Sequence, residues 1–333
     1  MTQSASQPYP FYNTTYTLHR LTPLYLSTTR PIDTSVLQHH ARRFREILIG
    51  DVLRGVRVGL ETDILTTAGL FQKVTWRLLP DEDAWDALLA EDETSWNETT
   101  MTINHSRGIW ICVVYERNTY TGLLLRGQQD GVIEGFQHFP LLMTRMPASL
   151  RDVLVEYLES NFDTRVSDLR LSSPQVTGAF EDYLRNVCLN DEGEEMNSAQ
   201  RVRAIKSIVK ETEVFIGFDV PSVSGALKTL EVHLTREDIP RLLNRGKTIE
   251  DSPLAQSPFI QALSIYLDGH LALNLKHERV RVVRIACGAF VLGIEGKVKL
   301  SEPLANELQD QQYRATRSLT DRLVNIALDG KLS

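Results

Sequence analysis

The stretch Ile109–Arg126, IWICVVYERNTYTGLLLR, decides the fold class. Its two halves, Ile109–Glu116 and Thr119–Arg126, are rich in β-branched, aromatic and aliphatic residues, and polar Arg117 and Asn118 separate them. Two such runs around a short polar turn predict a β-hairpin. Each run is almost continuously apolar rather than alternating, which places the hairpin near the centre of a sheet.

Working outward from this hairpin, strands are expected at Lys73–Leu79 and Val56–Leu60 before it and at Phe139–Met146 after it. An extended segment, Tyr12–Leu26, opens the chain; Pro23 and Pro31 suit only an edge strand or an irregular ending. Asp33, Thr34 or Ser35 can cap a helix that runs to Gly50 with Val36, Leu37, Phe44, Ile47 and Leu48 on one side. Asp81 starts a short acidic helix, and Glu91–Ser106 is polar enough to be a loop. Pro147 opens a second helix to Phe162. A strand over Arg165–Leu171 leads to a helix begun by Ser172, Ser173 and Pro174.

After the acidic run Leu189–Ser198 (LNDEGEEMNS) the pattern restarts. Strands are expected at Ala204–Phe218 and Leu227–Leu234, helices from Thr235 and Pro258, a strongly apolar strand pair at Val280–Leu292 and Lys297–Leu300, and a last helix over Ala305–Leu328. Hairpins and batches of helices with little βαβ alternation predict an α+β fold: two lobes with curved, largely antiparallel sheets and packed helices. The expected division is an N-terminal lobe over 11–189, an acidic linker over 190–198 and a C-terminal lobe over 199–333.

Composition bounds the chemistry. The 333 residues are 42% hydrophobic and 24% charged, ordinary values for a chain with a real core. No apolar run reaches the ~18 residues of a membrane span, and MTQSASQPYPFY lacks the positive start of a secretory signal. Cys112, Cys188 and Cys287 stand far apart without a CxxC pair, which fits a reducing compartment and gives no zinc knuckle. The net charge of −7 is held by Asp81–Glu93, whose seven acidic residues leave the remainder neutral.

Against that background three segments are basic. His39–Arg57 has net charge +3, Arg201–Lys210 has four basic and no acidic residues, and Lys276–Arg284 has net charge +3. Arg201 and Arg203, and again Arg279 and Arg281, fall at alternate positions, which on a strand puts them on one face. Such a row either forms an ordinary wet sheet face or meets phosphates, each contact adding salt-sensitive affinity. With Lys206, Lys210 and Arg284 these residues are the candidate DNA-facing set.

Motifs for catalysis are missing. Gly288, Gly293 and Gly296 before Lys297 do not have phosphate-loop spacing, and Val298 stands where Ser or Thr would bind magnesium. Gly293 and Gly296 are better read as hairpin-turn residues. His39 and His40 are neighbours rather than an i,i+4 metal pair. No HExxH or GxSxG occurs, and no cofactor is expected.

Several stretches together carry a family resemblance: FYNTTYTLHRLTPLY (Phe11–Tyr25), GDVLRGVRVGL (Gly50–Leu60), YERNTYTGLLLR (Tyr115–Arg126), FPLLMTRMPASLRDVLVEYL (Phe139–Leu158), SPFIQALSIYLDGHLALNLKH (Ser257–His277) and IACGAFVLGIEGKVKL (Ile285–Leu300). The chain resembles the fungal branch of the centromere protein L family, inner-kinetochore subunits of the constitutive centromere-associated network. The resemblance implies a non-enzymatic scaffold in the nucleus, at the centromere. It also implies pairing with a centromere protein N type subunit, contacts with other inner-kinetochore proteins, a homodimer in some relatives, and DNA contact within the complex. The C-terminal lobe is the expected partner surface, with Phe290, Leu292, Val298 and Leu300 as candidate partner-facing residues; the same strands read equally as sheet core. The competing class is an enzyme of unrecognised type with a site near His270 and Cys287.

Overall fold

A computed structural model describes residues 8–26, 32–54, 68–85, 103, 106–127, 135–190, 192–219, 228–248, 257–303 and 305–329. The strand expected at Val56–Leu60, the acidic helix beyond Trp85 and nearly all of the Glu91–Ser106 loop lie outside the described residues. The protein is α+β, and every ladder between its strands is antiparallel. It divides into two compact units: Tyr16–Asp168 with the chain up to Phe11 and from Ala327, and Leu169–Ile326 with Tyr12–Thr15.

In the first unit the order across the sheet is β8 (Val166–Asp168), β1 (Thr15–Leu21), β7 (Leu141–Arg145), β5 (Thr119–Leu125), β4 (Gly108–Tyr115) and β3 (Phe71–Leu79). The hairpin β4–β5 is interior, as its composition predicts, and β4 is buried at every position but Val114. A two-stranded ribbon, β2 (Leu24–Tyr25) with β6 (Phe136–Gln137), lies in the same unit. One face of the main sheet packs on α1 (Thr34–Arg54) and α2 (Ala148–Phe162). Leu37, Ala41, Phe44 and Leu48 recur at helical spacing on α1 and are buried against Trp76, Tyr157 and Phe162. Asp33 caps α1 by accepting the Val36 N–H at 2.8 Å. On the other face Tyr9, Trp85 and Trp110 meet edge to face at 5.3 Å, and the Arg107 guanidinium lies over Phe11.

The second unit has the strand order β10 (Thr229–Leu234), β9 (Thr212–Phe218), β11 (Val280–Cys287), β12 (Phe290–Gly293), β13 (Lys297–Leu300). Its inner face, with Val214, Ile216, Val282, Ile285 and Leu292, packs under α3 (Ser173–Val187). The α3 residues Phe180 and Tyr183 meet Phe290 edge to face, and Phe180 meets Phe259 of α6 (Pro258–Leu271) at 5.1 Å. Full burial of each such aromatic stabilises the fold by roughly 1.5–3 kcal/mol. The remaining helices are α4 (Ser198–Ile208), α5 (Asp238–Lys247) and α7 (Gln309–Asp329).

The boundary between the compact units falls at Asp168/Leu169. Helix α3 belongs to the second unit because its apolar face covers β11, and Leu189–Glu195 folds back on itself through a short bridge. The segment from Ala204 is not all strand: Ser198–Ile208 is helix α4, and only Thr212–Phe218 is extended. Asn197 and Gln200 form a reciprocal capping box that starts α4, and Ala204, Ile205 and Ile208 are buried at helical spacing.

Helix α6 has an unusual start. Ser257 makes no side-chain cap, and the Ile260 N–H instead donates to the Glu181 carboxylate of α3 at 2.7 Å. Glu181 is 3% exposed. Burial raises its pKa from the usual carboxylate range to about 7, although the Ile260 and Phe259 N–H groups and Arg185 pull the other way.

Candidate partner and nucleic-acid interface

The outward face of the second sheet gathers most of the unit's exposed strand charge. Residues paired across the ladder form one row: Glu231 on β10, Phe215 on β9, Arg284 on β11, Gly293 on β12 and Lys297 on β13. The Arg284 guanidinium lies 3.7 Å from the Phe215 ring centroid, a cation–π contact. A side chain at Gly293 would run into the Glu295 carboxylate, so that acid lies across the row beside Arg284 and Lys297. The neighbouring row runs His233, Glu213, Ala286, Val291, Lys299.

Strict alternation along Lys276–Arg284 would put Arg281 and Arg284 on opposite faces. They share the exposed face because the register shifts between Val282 and Arg284: Arg281 pairs with Gly217, Val282 with Ile216, then Arg284 with Phe215. One extra residue, Val283, forms a β-bulge and restores the phase. Arg281 makes an ion pair with Asp219 at 3.4 Å, and Arg279 is exposed just before the strand.

The other candidate cations behave differently. Arg201 and Arg203 lie on helix α4, two residues apart and so about 200° around it, not on one strand face. Arg201 pairs with Glu195 at 2.7 Å, Arg203 with Glu307, and Lys206 with Glu237 at 2.5 Å. Lys210 follows α4 at positive φ, and its alkyl stem covers Gly288. The seven residues therefore do not form one row: three α4 cations are matched by acids, and the β11 cations stand on the sheet. Lys297 and Lys299 complete that sheet face and fall outside the candidate set; the alternation Lys-Val-Lys-Leu at 297–300 is the signal that points to them.

The four residues offered to a partner face inward. Phe290 pairs with Leu300 and Leu292 with Val298, and all four are 0–1% exposed in the unit's own core. The unit's exposed features are elsewhere. Strand β10 has β9 as its one sheet neighbour among the described residues. Thr229, Glu231 and His233 are exposed, while Leu230 and Val232 are half-buried. Helix α6 leaves Ile265, Tyr266 and Leu271 on the surface.

Among the described residues His270 and Cys287 lie on different elements. His270 is exposed near the end of α6 and rests on Tyr266, 4.4 Å between centroids. Cys287 ends β11, its thiol pushed up to about 11 by burial. In the first unit His19 does link an acid and a hydroxyl: Nδ1 lies 3.0 Å from Asp168 and Nε2 3.0 Å from Thr144 Oγ1. That is the order of a hydrolase triad. The Thr144 hydroxyl, however, is buried on β7 between β1 and β5, where it closes a cross-strand ladder and no scissile carbonyl can approach it. Burial lowers the His19 pKa, partly offset by Asp168. Among the described residues no cluster of three His, Cys, Asp or Glu side chains could hold a metal, and no helix is long and apolar enough to cross a membrane.

The fold and the described surface thus define an α+β protein with charged sheet and helix faces, a strand edge and an exposed apolar helix stripe. The family model for centromere protein L matches residues 10–328, and the chain belongs to that family. It is accordingly a kinetochore component of the nuclear centromere, in the machinery of chromosome segregation. No curated protein matches the chain.

Proposed function

We propose that the protein is a non-enzymatic inner-kinetochore scaffold that pairs with a centromere protein N type subunit through the open edge of β10. The pair helps anchor the centromere-associated network on centromeric chromatin. The observation that carries this reading is the edge itself: six residues of β10 with one sheet neighbour among the described residues. Every second residue of such a strand points its N–H and C=O away from the sheet, ready for strand addition. Exposed Ile265, Tyr266 and Leu271 add apolar area on the same unit.

The test uses Glu231→Pro and Val232→Pro. Consecutive residues alternate between inward and outward hydrogen bonding, so one variant removes a ladder bond and the other only an outward donor. The second kind keeps the wild-type melting temperature and loses co-purification with the partner. Undiminished co-purification by both variants would overturn pairing at this edge, and a homodimer that competes with the partner would extend it to self-association.

Within that complex Arg279, Arg281, Arg284, Lys297 and Lys299 supply the DNA contact, and the α4 cations do not. Charge reversal of Arg284, Lys297 and Lys299 lowers the salt slope of DNA binding by up to about one for each phosphate that is no longer neutralised. Reversal of Arg203 and Lys206 leaves it unchanged. An equal effect of both sets would sink the assignment.

A further inference from the structure

In the first unit an open cleft of ≈ 270 Å³ runs between α1 and β3. The strand side is built from consecutive residues, Val74 to Arg77. Side chains of neighbouring strand residues point to opposite faces, so a wall using both parities lies along the strand's edge rather than on one face. Among the described residues that edge is open, because β3 pairs with β4 alone. The helix side is a single stripe, including Ala41, Arg42 and Arg45. The floor is apolar, with Ala41 and Trp76 buried and Val74 half-buried. Arg42 and Arg45 form the rim; both are exposed, and neither makes an ion pair with a described residue.

We propose that this cleft takes an extended acidic segment of a partner protein, added as a strand to β3 with its carboxylates on Arg42 and Arg45. Four strand residues span roughly 13 Å, room for a short extended peptide. An exposed strand edge supplies backbone hydrogen bonds, the apolar floor receives alternate side chains, and the arginines select acids. A DNA duplex would use the arginines but neither the strand edge nor the apolar floor, so the whole set of features fits a peptide. The site lies on a different unit from the β10 edge, and either proposal can fail alone.

The test is binding of a fluorescent peptide of alternating Asp and Val to the full chain, followed by anisotropy. Arg42→Glu with Arg45→Glu, on an exposed helix face, weakens binding about tenfold or more, in line with charge reversal at a rim. A peptide N-methylated at every second residue fails in the register that needs those donors, whereas methylation of the other set leaves binding intact. Equal binding of both methylated peptides would overturn strand addition. Equal binding by the double variant would overturn the arginine contacts, and arginine-dependent binding of duplex DNA with none of the peptide would overturn the assignment of the partner class.

Discussion

Glu181→Gln isolates the buried carboxylate that caps α6. The amide oxygen still accepts the Ile260 N–H, but the variant has no proton to bind or lose at this position. The wild-type carboxyl titrates near 7 when folded and near its ordinary 4.5 when unfolded. Below 4.5 it is protonated in both states and its stability contribution is complete. As pH rises, the unfolded chain releases the proton first, and the native state loses stability until pH passes about 7. The gap of about 2.5 pH units, at about 1.4 kcal/mol each, corresponds to about 3–4 kcal/mol. The assay is urea unfolding of both proteins at a series of pH values from 5 to 8. Stability of the wild type minus that of Glu181→Gln declines across the lower part of that range and levels off above about 7. Histidines that titrate in the same range affect both proteins equally and cancel in the difference. A difference that stays flat from pH 5 to 8 refutes the idea that the carboxyl is held protonated by burial. Glu181→Ala, which leaves the Ile260 N–H without an acceptor, costs a further ~1–3 kcal/mol at every pH.

Further outcomes follow from packing and local geometry. Phe290→Ala removes a ring held between Phe180 and Tyr183 and costs about 3–5 kcal/mol in denaturant melts; it lowers partner binding only as far as it unfolds the unit. Tyr157→Phe deletes the 2.8 Å hydrogen bond between the Tyr157 hydroxyl and His40 Nδ1 and costs about 1 kcal/mol at pH 7. His40, its pKa lowered to about 4 by burial, gives a stability that rises with pH between about 4 and 6.5, and His40→Gln flattens that rise in acid titrations followed by circular dichroism. Gly296→Ala forces a Cβ onto φ +74° in the β12–β13 turn and destabilises by about 1–2 kcal/mol, read as a lower urea midpoint.

The fold was legible wherever one physical signal dominated. The hairpin at Ile109–Arg126 announces itself because both faces of β4 are covered, and Ser172 with Pro174 marks the start of α3 through its cap. The sequence pattern misleads where two periods coincide. In Arg201-Val202-Arg203 polar and apolar residues alternate for a few positions, as on a strand, while Ala204, Ile205 and Ile208 already follow the helical period. The Asn197–Gln200 box is the feature that separates the two. The candidate surface was less legible still. Apolar Phe290, Leu292, Val298 and Leu300 look alike as core or as interface, because alternation says which residues share a face and not whether that face is covered. Phe290 is covered by Phe180 and Tyr183 of α3, more than a hundred residues earlier in the chain. The matching of Arg201, Arg203 and Lys206 by Glu195, Glu307 and Glu237 likewise depends on folding that no local window contains.

The extra residue at Val283 changes how this surface should be compared between relatives. A chain lacking it would set its cations two apart where this one has them three apart, yet both would present the same pair beside positions 215 and 217. A one-residue gap there would leave the charged face intact, whereas a gap anywhere else in β11 would turn every later side chain inside out.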